Sequence, residues 1–186
     1  MTTAVTPDSS PASAAGLLDR VLKPYKPDCR YVRSAEPVSI KGLTAEEPTV
    51  LRFGFEIAES CYIDDTGHFN AVEFNICYNQ MLYFTVATLI DEQAPGPFQH
   101  WTLEDFWVRQ LPQFFLTDFR SRFRRSMRGR AFDGEIRLTR VIQRGRSDVW
   151  PALLMLSTDC RFWDAEGPAA DGEAKVVILD PPGDGR

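Results

Sequence analysis

Hydrophobic and polar residues alternate most cleanly over residues 50–57. Leu51, Phe53, Phe55 and Ile57 point one way, and Arg52, Gly54 and Glu56 the other. That period of two predicts a strand with one buried face, running on to about Ile63. Asp64, Asp65, Thr66 and Gly67 then read as a turn. From Asn70 to about Asp91 the pattern changes to a nearly continuous apolar run with helical character. Asn70 can cap that helix, with Glu73 three residues on closing a box, and Pro95-Gly96-Pro97 stops it. Its length would be roughly 30 Å, the width of a small domain. A shorter helix is expected from Thr102, capped with Asp105, to about Gln110. Upstream, residues 16–22 predict a helical turn that Pro24 ends. Residues 30–40 predict a loose strand, which Pro37 marks as an edge. Downstream, strands are expected near 113–125, 134–143, 150–163 and 172–179, with turns at Arg144-Gly145-Arg146 and Glu166-Gly167-Pro168. Short connections imply antiparallel neighbours. One antiparallel sheet curled around one long buried helix is the simplest α+β architecture that buries both.

Composition narrows this picture. A chain of 186 residues favours one domain. We place it at 16–180, between Pro/Ser/Ala-rich and Pro/Gly-rich tails at 1–15 and 181–186. A net charge of −5 argues against a general nucleic-acid binder. The longest apolar run, residues 69–90, contains Asn70, Glu73, Asn75, Asn79 and Gln80, which a lipid-facing helix would not tolerate. The N-terminus lacks a basic start and an apolar stretch, so no export signal is expected and the protein reads as cytoplasmic. Cys29, Cys61, Cys77 and Cys160 show no C-x-x-C spacing and are expected to be reduced thiols. His68 and His100 are the only histidines, and neither sits in a cluster with ligand spacing, so no metal or bound cofactor is expected.

Chemistry concentrates in residues 59–73. Tyr62, His68 and Asn70 gather there around a helix start, which offers free N–H groups and a partial positive charge. Such a site suits an oxyanion. His68 could move a proton near neutral pH, or could equally be a turn residue bonded to backbone. Mid-helix, Asn79 and Gln80 must either bond neighbouring strands or face a polar pocket. Tyr25 and Tyr31 read as packing residues with their hydroxyls at the surface. Phe115, Phe119 and Phe123 are expected on one face of a strand, with Arg120, Arg122 and Arg124 on the other. That basic ribbon could grip a phosphate or an acidic protein, or be a solvated edge protected by charge.

These residues also resemble a known family. Glu59-Ser60-Cys61-Tyr62, Thr66-Gly67-His68-Phe69-Asn70-Ala71-Val72-Glu73 and Cys77-Tyr78-Asn79-Gln80 are similar to segments of the actinobacterial FcoT-type hotdog proteins. Arg20-Val21-Leu22-Lys23-Pro24-Tyr25, Ser121-Arg122-Phe123-Arg124 and Phe162-Trp163-Asp164 add to the match, which covers roughly residues 17–179. The resemblance implies a hotdog fold, a homodimer or higher oligomer, and thioester substrates on coenzyme A or acyl carrier protein. Family members are described as long-chain fatty acyl-CoA thioesterases. Others act in isonitrile lipopeptide biosynthesis, adding glycine to a (2E)-enoyl-acyl carrier protein and then hydrolysing the thioester to a 3-[(carboxymethyl)amino] fatty acid.

By position the resemblance marks Tyr25, Tyr62, His68, Asn70 and Asn79. On the leading reading His68 is the base for glycine and Tyr62 orients it. The N–H groups near Asn70 and Ala71 hold the developing oxyanion, and Asn79 orients that oxygen or a later water. Tyr25 and a cation hold the glycine carboxylate, Glu73 joins the substrate site, and Arg122 and Arg124 meet the carrier. The alternatives are a plain thioesterase with Glu73 or His68 activating water, and a non-catalytic module that binds acyl thioesters.

Overall fold

The computed structural model describes residues 14–64 and 66–182. Helix α1 (Ala14–Leu22) and a 3-10 turn (Pro27–Cys29) lead into strands β1 (Val32–Ser39) and β2 (Thr49–Phe55). Helices α2 (Ala71–Asp91) and α3 (Leu103–Arg109) follow. Strands β3 (Phe114–Phe123), β4 (Phe132–Arg144), β5 (Leu153–Asp164) and β6 (Gly167–Leu179) are the last elements among the described residues. One six-stranded sheet has the order β1-β2-β4-β5-β6-β3, antiparallel throughout. This is the hotdog arrangement, with α2 as the core helix. The expected tails lie largely outside the described residues; Ala14 and Ala15 already belong to α1. Among the described residues no helix is long and apolar enough to cross a membrane.

Both predicted capping boxes are present. Asn70 accepts from Val72 and Glu73 N–H while Glu73 accepts from Asn70 N–H, and Thr102 and Asp105 repeat the exchange on α3. The inner face of α2 is buried by aromatic rings. Phe74 meets Phe162 edge-on at 4.7 Å between ring centres, and Phe69 meets Phe132 at 4.9 Å. Two glycines of the sheet leave room for the aromatic rings. A Cβ on Gly172 would lie 2.8 Å from Phe74 Cζ, and one on Gly134 would lie 2.8 Å from Phe55 Cε2.

The structure corrects several expectations. Strand β2 ends at Phe55 instead of continuing to Ile63, because Phe55 pairs with Val32 and Phe132, where β1 and β4 begin. Beyond it, Ile57 N–H turns away to Gly129 O at 2.8 Å. Strand β3 does not neighbour β4; it crosses to the far edge and pairs with β6. Strand β6 starts at Gly167, earlier than expected, since Gly167 and Pro168 already pair with β5. A bulge between Leu116 and Asp118 shifts the phase of β3 by one residue. Phe119 and Phe123 therefore pack on α2 through Phe74, whereas Phe115 stays 46% exposed on the opposite side.

The cysteines also differ from expectation. Cys29 and Cys61 form a disulfide, with Cα atoms 5.5 Å apart; Cys77 and Cys160 are free and buried. The pairing follows from the fold, which brings the turn before β1 against the loop after β2. Tyr31 is likewise not a surface hydroxyl. It is 1% exposed, and its oxygen accepts from Cys61 N–H at 3.3 Å. Gln80 is fully buried and bonds the start of β1. Its Oε1 accepts from Tyr31 and Val32 N–H at 3.0 and 3.1 Å, and its Nε2 donates to Cys29 O.

Candidate active site

The described residues between β2 and α2 form no helix or strand, so their position depends on individual bonds. Tyr31 and the disulfide hold Cys61. Ser60 Oγ donates to Glu73 Oε1 in a short hydrogen bond. Phe69 N–H donates to Met127 O at 2.7 Å, and Arg130 donates to Ala58 O at 2.8 Å. The connection between β3 and β4 therefore folds back over the start of α2. Between the two segments lies a polar cleft of about 180 Å³, lined by Ile57, Glu59, Ser60, Gly67, His68, Glu73 and residues 128–130. It is smaller than the roughly 300 Å³ at which drug-sized ligand pockets begin.

His68 is exposed at the mouth of this cleft. Its Nδ1 lies 2.9 Å from Thr66 O. A carbonyl can only accept, so Nδ1 carries the hydrogen, and Nε2 keeps its lone pair. Gly67, with φ of +75°, makes the reversal that lets the ring reach back to Thr66. Tyr62 Oη donates to Asn70 Oδ1 at 2.8 Å, the same oxygen that accepts from Val72 and Glu73 N–H at 2.9 and 3.3 Å. The cap thus consumes most of the free donors at the helix start. Asn70 N–H is also occupied, by Glu73 Oε2 at 3.2 Å. Of the two N–H groups singled out for an oxyanion, only that of Ala71 has no partner among the described residues.

Glu73 is 3% exposed, and each of its oxygens accepts a hydrogen bond, one from Ser60 and one from Asn70. It is a cap and a loop anchor first, though it also forms a wall of the cleft.

The remaining predicted residues lie elsewhere. Asn79 is nine residues beyond Asn70, about 13 Å along the helix axis. It donates to Asn75 Oδ1 at 2.9 Å on a half-exposed stripe of α2 with Val72, Ile76 and Tyr83. Tyr25 is packed against the core near Tyr83 and Cys77. Burial pushes its hydroxyl well above the ordinary tyrosine range, so it stays protonated and can only exchange hydrogen bonds. Arg122 is exposed on β3 without a partner among the described residues, while Arg124 is ion-paired to Asp171 at 2.6 Å. The neighbouring Arg125 bonds Asp164 and Gly167 O, holding the Asp164 carboxyl below the usual carboxylate range. Sequence reasoning did not place Ser60 or Arg128 at the site. Arg128 follows Arg120, Arg122 and Arg124 closely in sequence, but nothing local showed that the chain turns back after Phe123.

The FcoT-like thioesterase domain profile matches residues 20–178. The chain belongs to that family. A (2E)-enoyl-[ACP] glycyltransferase of Streptomyces coeruleorubidus is 45% identical over 166 residues, covering 89% of this chain and 97% of that protein. A (2E)-enoyl-[ACP] glycyltransferase of Mycobacterium marinum is 37% identical over 183 residues, covering 96% and 94%. A crystal structure from Syntrophus aciditrophicus, described as a thioesterase, aligns with a TM-score of 0.50 at 10% identity, over 88% of this chain and 94% of that one. At that identity the likeness speaks for the hotdog fold alone. Membership of the family makes the chain an enzyme acting on acyl thioesters.

Proposed function

We propose that the protein is a (2E)-enoyl-acyl carrier protein glycyltransferase that adds glycine across the double bond and then hydrolyses the thioester. The observation that carries this reading is the free Nε2 of His68 at a small polar cleft beside a helix start, in a chain 45% identical to a glycyltransferase. Glycine enters as a zwitterion, and its ammonium gives a proton to His68 Nε2. The freed nitrogen pair attacks C3 of the enoyl chain, forming the N–C bond. The C2=C3 π pair moves toward C2 and onto the thioester oxygen, near Ala71 N–H and the positive end of α2. Protonated His68 returns that proton to C2, which restores the carbonyl and leaves the new amine as a secondary ammonium. Water then attacks it, the C–S bond breaks, and the carrier thiol leaves with a proton. Tyr62, through Asn70, keeps the loop and the helix start in register. The acyl chain runs along the half-exposed stripe of α2, past Asn79 and Tyr25, where a second copy of the chain would cover it.

Plain thioester hydrolysis at the same site is the competing reading. Occupation of both Glu73 oxygens works against that carboxylate as the base for water. The two are separated by mass spectrometry of a (2E)-enoyl-acyl carrier protein incubated with and without glycine. The expected product is a saturated acid heavier than the enoic acid by one glycine, formed only when glycine is present. Free enoic acid released equally in both tubes makes the protein a simple thioesterase.

The acidic carrier meets Arg120 and Arg122, the exposed arginines of β3 with no ion-pair partner among the described residues. Arg122→Glu is expected to lower turnover of the carrier-bound substrate about tenfold at low salt, and the deficit should shrink as salt rises. Equal turnover of variant and wild type at low salt removes Arg122 from the docking surface.

A further inference from the structure

The cleft beside His68 carries two opposite charges that do not meet. Arg128 and Glu59 both line it, both are exposed, and neither has an ion-pair or hydrogen-bond partner among the described residues. The backbone holds them on different segments. Glu59 sits on the loop fixed by the Ser60–Glu73 hydrogen bond. Arg128 sits between Met127 and Gly129, whose carbonyls accept from Phe69 and Ile57 N–H at 2.7 and 2.8 Å. The anchors are backbone hydrogen bonds on the Arg128 side and a part-buried side-chain hydrogen bond on the Glu59 side, so the separation is built into the fold.

We infer that this cleft is the subsite for a free zwitterionic amino acid, with Arg128 as the carboxylate anchor and Glu59 facing the ammonium. This deepens the glycyltransferase reading and rests on it. Guanidinium offers paired N–H donors that match a carboxylate. A carboxylate at Glu59 favours the ammonium form on arrival, and His68 at the mouth of the cleft takes the proton that must leave before attack. The volume of about 180 Å³ suits a small polar molecule and not an acyl chain. The division of labour follows: the amino acid enters beside the β3–β4 connection, and the thioester approaches from the side of α2.

The test compares glycine with glycinamide, which keeps the amine but lacks the carboxylate, in wild type and in Arg128→Ala. Adduct formation on a (2E)-enoyl-acyl carrier protein is followed by mass spectrometry. Wild type should prefer glycine over glycinamide in kcat/KM by about 10- to 100-fold, the usual weight of a charge-assisted contact. In Arg128→Ala the KM for glycine should rise by a similar factor and the preference should collapse toward one. Arg128→Lys should recover part of it. A variant with wild-type KM and undiminished preference overturns the assignment of Arg128 while leaving glycine addition intact. Absence of any glycine adduct from wild type, with hydrolysis continuing, overturns the glycyltransferase reading itself.

Discussion

His68→Ala should abolish glycine adduct formation while the protein stays folded. The argument is one of lone pairs. Thr66 O fixes the hydrogen on Nδ1, so Nε2 is the acceptor at the cleft. A positioned general base contributes about 10²- to 10⁴-fold, and that is the expected loss. The side chain is exposed, and its one hydrogen bond among the described residues is to a carbonyl two residues away, so thermal stability should change by less than about 0.5 kcal/mol. The deficit should also narrow at alkaline pH. There more glycine is already unprotonated, and a missing base matters less. Adduct yield measured against pH, beside a melting curve, checks both parts. A variant with near-normal yield at neutral pH takes His68 out of the mechanism.

The largest effect on stability is expected at Gln80. This side chain is fully buried, and it satisfies two N–H groups and one carbonyl at the point where the chain enters β1. Gln80→Ala would leave Tyr31 N–H, Val32 N–H and Cys29 O without their partner and open a cavity. Each unsatisfied buried group costs about 1–3 kcal/mol, so a net loss of about 4 kcal/mol is expected after partial relaxation. For a chain of this size that lowers Tm by about 10 °C. Gln80→Leu, which restores apolar volume but no hydrogen bonds, should recover little of it. A shift below about 2 °C for Gln80→Ala would show that the hydrogen bonds are not what holds this junction. The effect should reach the cleft as well, because Tyr31 and Cys29 both fasten Cys61, next to Tyr62.

What the sequence revealed was mostly local. Both capping boxes, the buried helix between them and Pro37 on an edge strand depend on residues within a few positions of one another, and all are present. The alternation at residues 50–57 located β2, yet its end is set by where β1 and β4 begin, which no local pattern records. The bulge near Thr117 moved Phe115 to the outside, since a single extra residue inverts a period of two. Strand β3 lies at an edge because it pairs with β6 alone, a pairing that runs from Phe123 with Ala170, 47 residues on, to Phe114 with Ile178, 64 residues on. The same non-locality hid the disulfide and the return of Arg128 over the helix start. At the site, the cluster of Tyr62, His68 and Asn70 was visible because it is nearly contiguous. That Asn79 and Tyr25 sit farther along α2 follows from helix geometry, and that Asn70 N–H is already spent follows from the capping box itself.

The Cys29–Cys61 bond encloses the whole of β1, β2 and the loop between them, and residues 44–47 of that loop are exposed. A protease that cuts there does not release a fragment. The two pieces remain one covalent molecule in a denaturing gel until a thiol is added, when they part at the cut. The N-terminal segment through α1 and β1 is therefore tied to the loop bearing Tyr62 by more than folding, and a nicked preparation would look intact on a gel run without reductant.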